Sequence, residues 1–475
     1  MYRHQLWGGG QAGKELCDLL VVFGNHVIIF SDKYCKFPTT GDLERNWCRW
    51  FKKAVWKSAH QVWGAERWLR EHPGRLYLDP SCTKPFPMPL PEAAACRIHR
   101  VVVAHGSGAA CRAALGGSGS LMVMPEIVGD RHFDPSQGRV IPFAVGLLDS
   151  AKGYIHVVDD FTLDVLLQTL DTAPDFVQYL ERKELFLRSG PPSSAAGEEE
   201  LLAYYLQHVD GAHEHDFTFR ENWDGIWIAE GLWAAFCGHP DRIAQLEEDK
   251  ISYAWDRLIE HFTSHVLAGT AYVRTSATQQ ELERGLRFLA AENRTLRRML
   301  AKALLGTLAR GQEADRFARV VRSTAPGEPC YVFLTLKPPT FCSYDEYRQV
   351  RRGLLETYCL VAKLRFPDET DIVGIAMEPR GCQGGSEDLA YFDGRTWNEQ
   401  LEQEARESGD KLGLLVDLKP YSVHVEEYPR QQVREMNKGR NRNAPCGCGS
   451  GRKYKKCCGA VKKHSESGKA DAVDP

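Results

Sequence analysis

Four cysteines stand inside thirteen residues near the C-terminus, in the stretch PCGCGSGRKYKKCC, and no other feature restricts the local fold so tightly. Cys446 and Cys448 are separated by one residue, and Cys457 and Cys458 are adjacent. Such close pairs do not close on themselves as unstrained disulfides. Four thiolates do suit structural zinc, which takes tetrahedral sulfur ligands at ~2.3 Å. Gly447, Gly449 and Gly451 permit the tight turns that let four sulfurs converge. Lys453, Lys455 and Lys456 offset the negative charge of a zinc ion held by four thiolates. The sequence therefore predicts a zinc centre with Cys446, Cys448, Cys457 and Cys458 as ligands. The other eleven cysteines are scattered singly, as apolar core residues of a reduced protein.

At 475 residues the chain exceeds one compact core, so two to four domains are expected. Hydrophobic residues make up 43% and charged residues 26%, values of an ordinary globular chain. The opening MYRHQLWGGGQAGK lacks the apolar core of a signal peptide. The most apolar run, Leu19 to Phe30, is broken by Gly24, Asn25 and His26 and is too short to span a bilayer. These features predict a cytoplasmic protein without membrane contact. Charge is unevenly placed: residues 430–463 hold eleven Lys/Arg and one acid, Glu435. The rest carries 49 Lys/Arg against 62 Asp/Glu, so a cationic tail hangs on an acidic body. Such a tail suits nucleic acid, a ribosome or an acidic protein, and charge alone does not choose.

The cysteine stretch resembles the SEC-C motif, C-x-C-x-S-G-x-x-x-K-x-C-C/H, named for the C-terminus of the translocation ATPase SecA. Ser450, Gly451 and Lys455 stand at its fixed positions between the cysteines. The resemblance implies a zinc-held module that docks a protein partner, such as a chaperone, or the ribosome. It implies no reaction, because four thiolates fill the zinc and leave no position for substrate. A translocation ATPase would also need a phosphate-binding loop. GGGQAGKE imitates one at Gly8, Gly13 and Lys14, but Glu15 replaces the magnesium-binding hydroxyl and a strand rather than a helix is expected to follow.

The other end of the chain carries a second constellation. CDLLVVF and VIIFSDK read as strands joined by a Gly-Asn turn. Asp18 opens the first strand and Lys33 closes the second. From Asp42 to His72 apolar residues recur at helical steps until Pro73, with five of the eleven tryptophans between 47 and 68. That spacing favours core packing of the tryptophans over base stacking. Lys57 and Gln61 share one face of the helix. An acid, a lysine after a hairpin and a helix bearing Gln or Lys resemble the PD-(D/E)XK restriction-endonuclease superfamily. On that resemblance Asp18 is a Mg²⁺ ligand, Lys33 the catalytic lysine, and Gln61 a supporting group, with Glu15 as an added carboxylate. The superfamily has an acid two residues before the lysine, where this chain has Ser31; Asp32 is one residue out of step. The implied activity is Mg²⁺-dependent cleavage of DNA or RNA. The competing expectation is a catalytically silent, zinc-tagged adaptor.

The expected architecture is α/β and multidomain. A restriction-endonuclease-like mixed sheet with helices spans 1–160, and the segments 97–104, 120–124, 139–148 and 154–158 extend its sheet. A mainly helical region covers 161–325, with Asp159-Asp160 and Asp164 read as a helix N-cap and its first turn, and a linker at 189–200 by composition. A small α/β unit covers 326–430, ending in a strand at KLGLLVDLK. The SEC-C module at 438–460 and a disordered tail at 461–475 close the chain.

Overall fold

The computed structural model describes residues 6–8, 15–211, 214–219, 224–268, 279–323, 327–382, 385–416, 418–420, 422–423, 426–429 and 453. The expected zinc module and disordered tail lie outside these residues, Lys453 excepted.

Strands β1 (Leu6–Gly8), β2 (Glu15–Cys17), β3 (Leu19–Phe23) and β4 (His26–Tyr34) come first. Helix α1 (Leu43–Phe51) continues through a π-helical turn, Lys52–Trp56, into α2 (Lys57–Glu71). Then follow β5 (Leu76–Tyr77), β6 (Arg97–His105), α3 (Gly108–Leu115), β7 (Met122–Val128), β8 (Ala144–Leu147) and β9 (Ile155–Val158). Helices α4 (Asp160–Thr169), α5 (Ala173–Ser189) and α6 (Glu198–Gln207) are interleaved with β10 (Ser193–Ala195) and followed by β11 (Ile226–Ile228). The second half holds α7 (Leu232–Cys237), α8 (Pro240–Asp249), α9 (Tyr253–Ala268), α10 (Gln279–Ala291) and α11 (Arg294–Gly311). It ends with β12 (Arg316–Val321), β13 (Cys330–Leu336), α12 (Tyr344–Arg365), β14 (Asp371–Met377), β15 (Glu387–Asp393) and α13 (Glu399–Leu412).

The expected hairpin forms. Gly24 takes φ +54°, which its lack of a Cβ allows, and β3 and β4 pair antiparallel from Leu19↔Phe30 to Phe23↔His26. Strand β6 then pairs parallel with β4, and β9 parallel with β6, giving the order β3-β4-β6-β9. Parallel strands are covered on both faces, which explains the unbroken apolar run RVVVA in β6. Val27, Ile29, Val102 and Ala104 face a core shared with α1 and α2; Ile28, Phe30, Val101 and Val103 face one shared with α4, α5 and α6. The tryptophan helix is core. Trp47, Trp50 and Trp63 are buried and donate their indole N–H groups to the carbonyls of His132, Cys35 and Gly153, each at 2.9 Å.

Three expectations are corrected. Segments 120–124 and 139–148 do not extend the N-terminal sheet: β7 and β8 pair parallel in a separate sheet of order β11-β10-β7-β8. The stretch 189–200 is no linker. It holds β10 and the start of α6, and Glu198, Glu199 and Glu200 are all buried. Each finds polar partners: Glu198 takes Lys183 and Tyr179, Glu199 takes Ser118 and Ser120, and Glu200 accepts from the amides of Gly231 and Trp233. KLGLLVDLK forms no strand among its described residues; it ends α13, with Gly413 in the left-handed conformation after the last turn.

The C-terminal sheet has the order β12-β13-β14-β15, with α12 as the crossover between the parallel strands β13 and β14. A capping box of Ser343 and Glu346 starts α12. Phe333, Val373 and Ile375 on one face share a core with α9, α10 and α11, and Leu334, Ile372 and Ala376 on the other share one with α12. Helices α9, α10 and α11 therefore pack on this sheet. Among the described residues no helix is long and apolar enough to cross a membrane.

Candidate functional site

Strand alternation sorts the predicted N-terminal residues. Leu20 and Ile29 pair across the hairpin and face α1 and α2. Continuing the register outward sets Asp18 opposite Ser31, and the Asp18 amide donates to the Phe30 carbonyl at 3.2 Å. Ser31 and Lys33 follow Ile29 at two-residue steps, on the face covered by α2, the helix that carries Gln61. Lys33 and Gln61 are half-buried, and Lys57 is exposed. Among the described residues Lys33 forms no ion pair.

Asp32 goes the other way. It is exposed, and its Oδ1 lies 2.7 Å from Nε2 of His105 at the end of β6. Its amide donates to Oδ2 of Asp18 at 2.8 Å, so the Asp18 side chain supplies an acceptor just where β3 stops. No bulge brings Asp32 inward: the β4–β6 register runs unbroken from His26↔Arg97 to Tyr34↔His105. The position two residues before Lys33 is held by Ser31, which is 1% exposed.

The carboxylate of Glu15 lies on β2, three residues before Asp18. Among the described residues its Oε1 is buried without a hydrogen-bond partner. Burial, and then the charge of Asp18, raises its pKa above the ordinary carboxylate range. The same burial and the same two carboxylates push the Cys17 thiol up to about 12. Glu15 and Asp18 are thus electrostatically coupled beneath α2.

A second cluster lies on the opposite face of this sheet. Nδ1 of His26, at the start of β4, is 3.0 Å from Nε2 of His99 on β6, and 3.8 Å from Oε1 of Glu181 on α5. The two rings stack at 5.3 Å between centroids. Burial holds both imidazoles neutral at neutral pH, lowering His26 and bringing His99 down to about 4. This group is not legible in the sequence, because 73 residues separate the two histidines and only the β4–β6 pairing joins them.

Among the described residues all eleven cysteines are free; Cys446, Cys448, Cys457 and Cys458 lie outside them. Residues 442–460 match the SEC-C motif family. The chain is 43% identical over 61 residues to a protein translocase subunit SecA of Trichlorobacter lovleyi, which covers 13% of this chain and 6% of that subunit. It is 64% identical over 36 residues to the SecA of Pelotomaculum thermopropionicum, 8% of this chain and 4% of that one. The likeness is thus confined to a short segment of both proteins. SEC-C is a zinc-binding motif, and the four-thiolate donor set suits zinc. No solved structure matches the chain.

Proposed function

We propose that the protein is a Mg²⁺-dependent, nuclease-like phosphodiesterase whose C-terminal SEC-C module is a zinc-held docking fitting. The observation that carries the N-terminal half of this reading is the buried, unpartnered Oε1 of Glu15 beside Asp18. An orphaned carboxylate oxygen next to a second carboxylate is costly unless a cation offsets both. Mg²⁺ takes one or two such oxygens and keeps its waters, so Glu15 and Asp18 would hold it. When bound, it supplies an acidified water and positive charge against the phosphate. Lys33, without an acidic partner among the described residues, sets its ammonium on the same face, where it offsets charge developing on a phosphate oxygen. Gln61 on α2 orients the attacking water through its amide. The basic stretch 430–463 recruits nucleic acid, and the zinc module docks a protein partner or the ribosome.

The second reading is the silent, zinc-tagged adaptor. Ser31 at the acidic position, and an Asp18 carboxylate engaged by the Asp32 amide, favour it. A panel of single- and double-stranded DNA and RNA, incubated with Mg²⁺, separates the two. The nuclease reading expects cleavage by wild type and its loss in both Asp18→Ala and Lys33→Ala. Absence of cleavage on every substrate selects the adaptor. Cleavage that survives both substitutions places the chemistry elsewhere.

A further inference from the structure

We propose that His26 Nδ1, His99 Nε2 and Glu181 Oε1 form a second metal site, for a transition-metal ion of the zinc type. It is separate from the cysteine cluster and independent of the phosphodiesterase reading. Among the described residues these three form a group of ligand atoms that all lie within 4.8 Å of one another. Zinc bonds of ~2.0–2.1 Å in tetrahedral array put ligand atoms about 3.3–3.4 Å apart. The observed separations of 3.0 and 3.8 Å bracket that value, so small side-chain shifts complete the site.

The donor chemistry selects the ion. Two imidazoles and one carboxylate suit zinc and its first-row neighbours, whereas Mg²⁺ prefers oxygen throughout. Both rings are neutral, which is the ligating form. His99 is 4% exposed, while the side chains of His26 and Glu181 are 21% and 33% exposed. The site is therefore anchored in the core and open on one side, leaving a fourth position for water or a ligand. Arg97 Nη1 shares Oε1 of Glu181 at 2.9 Å, and its side chain is 65% exposed, so it can swing into solvent as an ion enters. Its ligands come from two neighbouring strands and from α5, so an ion would pin that helix to the sheet.

Cobalt titration of the full-length, metal-stripped chain tests this. The expected result is two Co²⁺ per chain, one with a thiolate-to-cobalt charge-transfer band and one without. Replacing Cys446, Cys448, Cys457 and Cys458 by serine together removes the first and keeps the second. His26→Gln and Glu181→Gln, at side chains that are partly exposed, weaken the second at least tenfold and leave the thiolate band unchanged. Circular dichroism confirms that each variant is folded. Uptake of a single, thiolate-bound Co²⁺ by folded wild type overturns the proposal and leaves a hydrogen-bonded histidine pair. Equal uptake by His26→Gln and wild type overturns it as well.

Discussion

The N-terminal sheet β3-β4-β6-β9 and the C-terminal sheet β12-β13-β14-β15 share a plan: four strands, a helical crossover between parallel neighbours, and helices on both faces. They treat buried charge differently. In the C-terminal sheet Arg351 is fully buried, yet it donates to Asp388 Oδ2 at 2.7 Å, to Ser386 Oγ at 2.8 Å and to Glu378 at 3.4 Å. Asp371 is likewise held by Arg395, Tyr391 and Thr370. In the N-terminal half, Glu15 Oε1 on β2, a strand of the separate sheet β2-β1-β5, and both ring nitrogens of His156 on β9 are buried without partners among the described residues. Each unmet group costs ~1–3 kcal/mol. A completed network reads as architecture; unmet donors and acceptors mark where a ligand is to be expected. The contrast is not absolute, since Arg348 Nε beside Asp388 also has no hydrogen bond, but it is the ground for proposing chemistry in the N-terminal half.

The sharpest way to break the comparison is Asp388→Ala. It removes the nearest carboxylate from a buried guanidinium that cannot shed its proton and keeps Glu378 only at 3.4 Å, and a loss of about 3–5 kcal/mol is expected from urea unfolding. A loss under about 1 kcal/mol would show that the Arg351 network is dispensable. Lys183→Met, in the N-terminal half, should cost less, about 2–3 kcal/mol at neutral pH. It leaves Glu198 with only Tyr179 among its described partners, but a carboxylate can take up a proton, so this loss should shrink on acidification while that of Asp388→Ala persists. An equal pH response in both variants would contradict the distinction.

A smaller effect concerns His132. Its Nδ1 faces the Gly129 carbonyl at 2.7 Å and its Nε2 accepts from the Gly146 amide at 2.9 Å, which fixes one neutral tautomer. Burial lowers its pKa from 6.5 to about 4. The unfolded chain therefore binds the proton first, and this contribution to stability is lost as pH falls from 6.5 toward 4. Glu292, raised to about 7 by burial in the C-terminal half, behaves oppositely: its contribution is full below 4.5 and is lost as pH rises through 7. The difference in unfolding free energy between wild type and His132→Gln should grow with pH across 4–6.5, and that for Glu292→Gln should shrink across 4.5–7. Flat differences would remove both groups from the acid response. The smallest effect should be electrostatic. If the 430–463 stretch contacts duplex phosphates, binding should weaken with salt at a slope of ~0.9 per neutralised phosphate, and Lys455→Ala with Lys456→Ala should flatten that slope without changing zinc content.

Local pattern made much of the fold legible. The Gly24-Asn25 turn, the tryptophan helix ending before Pro73, the Asp159 cap that accepts from the Thr162 amide, and α12 behind Ser343 all follow from residues near in sequence. What was not legible depends on distant partners. Strands β7 and β8 look like any apolar run, and only packing assigns them to another sheet. SGPPSSAAGEEE reads as a linker because its glutamates read as solvated, whereas Lys183, Ser118, Ser120 and the start of α7 neutralise them. The site divides in the same way. Glu15, Asp18 and Lys33 lie within nineteen residues on and beside the β3–β4 hairpin and can be read from it, while His26, His99 and Glu181 meet only once the sheet and α5 are assembled.

The claim that the N-terminal half carries the chemistry is tested most directly by a Mg²⁺-dependent cleavage assay on wild type, Lys33→Ala and Asp18→Ala. The account predicts cleavage by wild type that stops on chelation, and a drop of about 10²-fold or more in each variant. Wild type that cuts no form of DNA or RNA, or variants that cut as well as wild type, would contradict it.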